Sequence, residues 1–166
     1  MVRTVRLAAL ALGVAVFAPA AYGQGATVAF GGIRSDTSQP VEVTADQLAV
    51  DQTDGTATFT GNVVVIQGDL RLGATTVRVE YAKDDRTRVE RIVASGGVTL
   101  VSAAEAAEAK DAVYTVANGQ VVLTGDVLLT QNGGTIAGQK LSVDLKTGTG
   151  QMDGRVRTVI SPKGSQ

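Results

Sequence analysis

Cysteine, histidine and tryptophan are all absent from the 166 residues, and proline, tyrosine and phenylalanine occur three times each. Without cysteine there is no disulfide framework, zinc finger or thiol nucleophile. Without histidine there is no Ser-His-Asp triad, no imidazole ligand and no ordinary pH switch near neutrality. These absences predict a non-enzymatic chain with no cofactor and no transition metal. Charge is also sparse. Fifteen basic and 16 acidic residues give a net charge of −1 and a pI near 5.4, which argues against nucleic acid as a partner.

What remains is Val, Ala, Gly and Thr, at 25, 23, 20 and 19 residues more than half of the chain. Val and Thr favour pleated strands, and Gly serves turns and bulges. The length fits one domain with a real core and leaves no room for a separate catalytic domain.

The chain opens with Arg3 and Arg6, a short apolar run from Leu7 to Ala18, and small residues around Pro19 to Gly23. This is the pattern of a secretory signal peptide over residues 1–23, cleaved after Ala20 or Gly23. The run falls short of the ~20 residues a spanning helix needs. Export from a Gram-negative cytoplasm places the mature chain in the periplasm. Residues 24–39, with Gly25, Gly31, Gly32 and Asp36, read as a flexible lead-in with a weak strand near Thr27 to Phe30. The domain is expected over 40–162, followed by a short tail at 163–166.

From Val41 the apolar residues alternate with polar ones, the period of half-buried strands. Asp54-Gly55, Gly68-Asp69, Asn118-Gly119 and Asn132-Gly133 punctuate the alternation as hairpin turns. A shift of 64 residues lays Ala45 to Tyr81 on Ala109 to Leu145 without a gap, with Phe59-Thr60-Gly61-Asn62-Val63 over Leu123-Thr124-Gly125-Asp126-Val127. Within each half, Ser95-Gly96-Gly97-Val98 echoes Thr60-Gly61-Asn62-Val63. The fold is therefore expected to be all-β, built from about four strand-pair units of roughly 30 residues, each with a Gly at a bulge or bend.

Alternation puts one set of side chains on a common apolar face. In the first units these are Val43, Val50, Phe59, Val63, Val65, Leu70, Leu72 and Val79; further along they are Leu100, Tyr114, Leu123, Val127, Leu129, Ile136, Leu141 and Val143. Phe59, Val65, Leu72, Leu123, Leu129 and Ile136 keep their register across the repeat and are the strongest candidates for an interior groove. Lys140, by contrast, is assigned to the outer face. Such a face either fills a core or lines a roll with room for a long apolar ligand, and periodicity alone favours the filled core. Ser102 to Lys110 breaks the pattern: its Ala and Glu favour helix, and it is expected to be a loop leading into a strand at Ala112 to Tyr114.

No catalytic constellation is found. Asp84-Asp85, between Lys83 and Arg86, reads as a solvated turn. Gly134 to Lys140 lacks the spacing of a phosphate loop, and Asp46, Asp51 and Asp54 lack the alternation of a calcium loop.

The block Phe59 to Gly68 (FTGNVVVIQG), the preceding Val43 to Gln47, and the later Ala112-Val113-Tyr114 and Val122 to Val127 resemble the OstA-like family of periplasmic lipopolysaccharide-transport proteins. The likeness runs from about Ser38 to Pro162. Asp126 stands where the family often has Asn. The resemblance implies an elongated, open, twisted antiparallel β-jellyroll. It implies that the lipid A acyl chains of lipopolysaccharide ride in the apolar interior. It further implies head-to-tail self-association and joining to inner-membrane and outer-membrane transport components with similar rolls. The first and last strands are then the partner edges, Val41 and Val43 within Val41 to Asp51, and Val156 and Thr158 within Arg155 to Ile160. The alternative is a self-assembling periplasmic β-roll scaffold without a lipid ligand. A hydrolase using paired carboxylates has no supporting residues.

Overall fold

The structure, a computed structural model, describes residues 36–103, 105–131 and 133–160, together with the backbone of 26–29. The expected signal peptide, most of the lead-in and the short tail lie outside the described residues. Among the described residues there are eleven strands and no helix: β1 (Ala26–Ala29), β2 (Glu42–Thr44), β3 (Gln47–Asp51), β4 (Thr56–Gln67), β5 (Leu70–Tyr81), β6 (Val89–Val101), β7 (Glu105–Thr115), β8 (Gln120–Gln131), β9 (Gly134–Asp144), β10 (Thr149–Asp153) and β11 (Arg157–Ile160).

The strands from β4 to β10 form an antiparallel meander in chain order. The dipeptides mark three of its turns, at Gly68, Gly119 and Gly133, and the turn from β3 into β4 at Gly55; all four glycines have positive φ, between +55° and +79°, which glycine adopts without steric cost. At its N-terminal end the meander is flanked by two short strands on the same edge of β4. β2 pairs with Val64 to Ile66, and β3 with Thr56 to Thr60. At the other end β10 and β11 share β9 in the same way. β1 pairs antiparallel with β10, so the weak strand expected near Thr27 to Phe30 forms at Ala26–Ala29.

The segment 102–110 is a correction. Glu105 to Lys110 belongs to β7, continuous with the strand through Ala112 to Tyr114. Its local helix preference amounts to tenths of a kcal/mol per residue, while two neighbouring strands bond to it along its length, and its small Ala107 and Ala112 fit the interior.

A row of register shifts crosses the whole sheet, in β4 between Thr60 and Val63, in β6 between Ser95 and Val98, and in β8 between Thr124 and Val127. At these shifts Gly61-Asn62, Gly96-Gly97 and Gly125-Asp126, all with positive φ, stand as two residues against one of the next strand; Gly154-Arg155 repeats the geometry between β10 and β11. These are the recurring glycines of the repeat. One extra residue in each of β4, β6 and β8 bends the sheet at the same level, and the sheet folds along that line into two leaves. One leaf holds the segments of β4 to β9 beside β2 and β11. The other holds the segments beside β3, β10 and β1.

The fold-over is visible in one contact. Gln67 and Tyr114 lie on strands three places apart in the sheet and on opposite sides of the bend, about 14 Å apart or more on a flat sheet. Yet the Tyr114 hydroxyl donates to Gln67 Oε1 at 2.8 Å. The inward side chains of both leaves form a single apolar cluster from Ala57 to Met152.

Candidate functional site: the apolar interior and its two ends

Alternation along each half-strand sends every second side chain between the leaves. The predicted interior positions are all buried, with three exceptions. Val43 and Phe59 are half-buried, and Val50 is exposed. Lys140 is exposed, on the outer face. Val50 keeps the inward register, opposite the buried Ala57, but among the described residues β3 has no strand beyond it to close over the residue. The same holds for Leu48, opposite Phe59. Leu48 and Val50 are 57% and 64% exposed. Sequence reading passed over Val121, Met152, Ala107, Ala112 and Gln67, which also face inward and are buried. Val121 is in step with Leu123, and Met152 with Gly150. The short β10 and the small or polar side chains of the others hid the pattern.

Near the N-terminal half the interior is closed by Gln67 and Tyr114. Gln67 accepts from the Tyr114 hydroxyl and donates from Nε2 to the carbonyls of Thr37 (3.1 Å) and Gln39 (2.9 Å). Burial pushes the Tyr114 phenol above its ordinary pKa, which keeps it protonated and donating. The void among Val41, Val65, Leu72, Leu100, Tyr114 and Val121 measures about 20 Å³, room for one water. In this state the leaves pack on each other, and the apolar face is a filled core rather than an open channel.

Outside, along the bend, polar side chains lie over the bulge glycines. Asn62 donates to Asp46 (2.8 Å), and Thr75 donates to the Gly96 carbonyl (2.7 Å). Lys110 pairs with Asp126 at 2.6 Å, and Gln139 donates to the same carboxylate at 3.4 Å. A Cβ on Gly125 would sit 2.9 Å from the Lys110 side chain, so the cover itself requires glycine. In the 64-residue repeat Asp46 corresponds to Lys110 and Asn62 to Asp126. Donor and acceptor exchange places while the contact is kept, which accounts for Asp126 at a position of Asn. Hydrogen bonds from Lys110 and Gln139, and the Lys110 charge, hold the Asp126 carboxyl below its ordinary pKa, while the hydrogen bond to Asp126 and its charge raise that of Lys110.

The predicted partner edges fall at the two ends. Val43 lies on β2 and Thr158 on β11, opposite Ile136. Val41 and Val156 are half-buried beside those strands rather than in them. Ile160 is 79% exposed. Among the described residues the C-terminal end is open at β11 in one leaf, while β1 covers β10 in the other.

Nothing in this arrangement suits catalysis. Asp84 pairs with Arg88 and Asp85 accepts from Thr87, as in the solvated turn the sequence indicates. Among the described residues no three His, Cys, Asp or Glu side chains gather in a metal-binding group.

Comparison with known proteins adds the following. The family described as "LptA/(LptD N-terminal domain) LPS transport protein" matches residues 42–149. The chain is 30% identical over 148 residues to the lipopolysaccharide export system protein LptH of Pseudomonas aeruginosa, across 78% of this chain and 83% of that protein. It is 30% identical over 140 residues to the lipopolysaccharide export system protein LptA of Escherichia coli, across 78% and 75%. The crystal structure of LptH, described as the LptA-homologous periplasmic component of the lipopolysaccharide transport device of Pseudomonas aeruginosa, superposes with a TM-score of 0.69 at 26% identity. That match covers 77% of this chain and 99% of that one. The open all-β roll expected from the sequence is thus the observed fold.

Proposed function

The chain belongs to the LptA/(LptD N-terminal domain) LPS transport protein family, and from that premise we propose that it carries lipopolysaccharide across the periplasm, with the acyl chains held between its two leaves and passed along rolls joined end to end. It is a transport protein and not an enzyme. The observation that carries the finer reading is the inward face, apolar except at a few positions such as Gln67 and Glu105, which runs through the roll and leaves Leu48 and Val50 exposed at one end. Each methylene removed from water is worth about 0.8 kcal/mol. Ten of them offer about 8 kcal/mol, against about 1 kcal/mol for the Gln67–Tyr114 hydrogen bond that must open. The leaves then exchange contact with each other for contact with the lipid.

The ends support the joining. Every pairing is antiparallel, so β4, β6, β8, β10 and β11 run one way and β1, β2, β3, β5, β7 and β9 the other. A second roll placed after the first without inversion sets its β2 beside β11 and its β3 beside β10, both antiparallel. Such an edge-to-edge contact is heterologous and extends into a chain. The inner-membrane and outer-membrane components of the pathway, carrying similar rolls, are the proposed partners at the two termini of that chain.

A scaffold without lipid has one observation in its favour, the closed interior. Solvent extraction of protein purified from its periplasm, with mass spectrometry of the fatty acids, separates the two. Acyl chains near one lipopolysaccharide per roll support transport; protein that yields none supports the scaffold.

A further inference from the structure

Resting on the end-to-end reading, we infer that β1 is a displaceable stand-in for β3 of a second copy, and that it keeps one leaf of the C-terminal end closed until a partner arrives. The argument is one of position. β1 runs in the same direction as β3, lies in the same leaf and pairs antiparallel with the last strand of that leaf. Its register sets Ala26 and Val28 opposite Met152 and Gly150, residues whose burial marks them as inward. In β3 it is Leu48 and Val50 that oppose the inward positions Phe59 and Ala57. A second copy's β3 would therefore bring Leu48 and Val50, exposed in the free roll, opposite Met152 and Gly150, with Leu in the register position of Ala26 and Val in that of Val28.

The exchange favours the partner. β1 pairs at four positions with β10 as its single strand neighbour among the described residues. An incoming roll offers five positions in β3 and a simultaneous contact of its β2 with the open β11. The β11 contact raises the effective concentration of β3 at the occupied edge. An edge blocked in most molecules lowers apparent affinity by the fraction that is competent. β1 thus suppresses premature self-association of a protein whose β3 edge carries no further strand among the described residues, and it covers an edge that would otherwise invite nonspecific pairing.

The test uses the mature chain, residues 24–166, with two variants. One lacks residues 24–35. The other carries Thr27→Cys and Gln151→Cys, which oppose each other in the register; the parent has no cysteine to interfere. Circular dichroism controls for folding. In sedimentation velocity over a concentration series, the deletion should assemble at about tenfold lower concentration than the parent. The oxidised double-cysteine variant should form an intramolecular disulfide and stop short of chains, and reduction should restore parental assembly. Equal assembly of the parent, the deletion and the oxidised variant would overturn the cap while leaving end-to-end joining intact. A disulfide that fails to form, or forms only between chains, would overturn it too. Monomers in every background would instead overturn the end-to-end reading on which the cap depends.

Discussion

The C-terminal half of β7 and the short strand β3 are the same piece of the repeat in different settings. Leu48 and Val50 in β3 correspond to Ala112 and Tyr114 in β7, 64 residues on. All four face inward by register, opposite Phe59, Ala57, Leu123 and Val121. Ala112 and Tyr114 are 1% and 5% exposed, while Leu48 and Val50 are 57% and 64% exposed. The difference is the missing neighbour: β7 is flanked by β6 and β8, whereas among the described residues β3 has only β4. An apolar residue is buried here by the next strand over, and a roll ends where the chain runs out of strands rather than where it runs out of apolar residues. That is why the N-terminal end looks like an interior waiting for a continuation.

The comparison is broken most sharply by truncation at its two members. Tyr114→Ala should lose about 3–5 kcal/mol in urea unfolding, the cost of a buried aromatic removed from a packed core. Val50→Ala should stay within about 0.5 kcal/mol of the parent while weakening self-association. Similar unfolding losses at the two sites would mean that β3 is covered in the free protein.

At the opposite end, proline tests β11. Neighbouring N–H groups of an edge strand point alternately to the sheet and away from it, so Thr158→Pro and Val159→Pro differ in kind. One removes a bond to β9 and the other removes a donor facing outward. Both should abolish chain formation in sedimentation velocity, but the outward one should leave the unfolding midpoint nearly unchanged. Assembly that survives both would place the joint elsewhere.

Tyr114→Phe sharpens the account of the clasp, since it keeps the ring and removes only the hydroxyl that reaches Gln67. A loss of about 1 kcal/mol is expected in urea unfolding, together with faster uptake of a fluorescent lipopolysaccharide. Unchanged uptake would show that the leaves do not part at this bridge.

The smallest effect concerns the outer bend, where the two halves use opposite polarities. Asp126 is held below its ordinary pKa by Lys110 and Gln139. Its contribution is therefore present above the unfolded carboxylate range, near pH 4, and is lost as pH falls through the lower folded value. Asp126→Asn, which reproduces the residue at Asn62, should flatten the acid limb of the stability curve slightly. An acid limb identical to the parent's would remove the assigned role.

Much of this was legible in the residues. Gly61, Gly96 and Gly125 mark the bulges because both residues of each bulge have positive φ, and the turn dipeptides mark hairpins between them. β7 was read in part as a loop because Ala and Glu report helix preference, whereas its fate is decided by pairing on both sides. The seat of β1 on β10 joins the two ends of the chain, and no local pattern encodes it. The filled interior is the reading that periodicity favours, but alternation only assigns a side chain to a face, and the volume left between two leaves depends on all the side chains of both.

The central claim is that the space between the leaves receives the acyl chains of lipopolysaccharide. A photo-crosslinking residue at Leu129, fully buried between the leaves, and another at Lys140, on the outer face, test it in living cells. After irradiation, immunoblotting should find lipopolysaccharide attached at Leu129 and absent at Lys140. Equal labelling at the two positions, or labelling at Lys140 alone, would contradict the interior route.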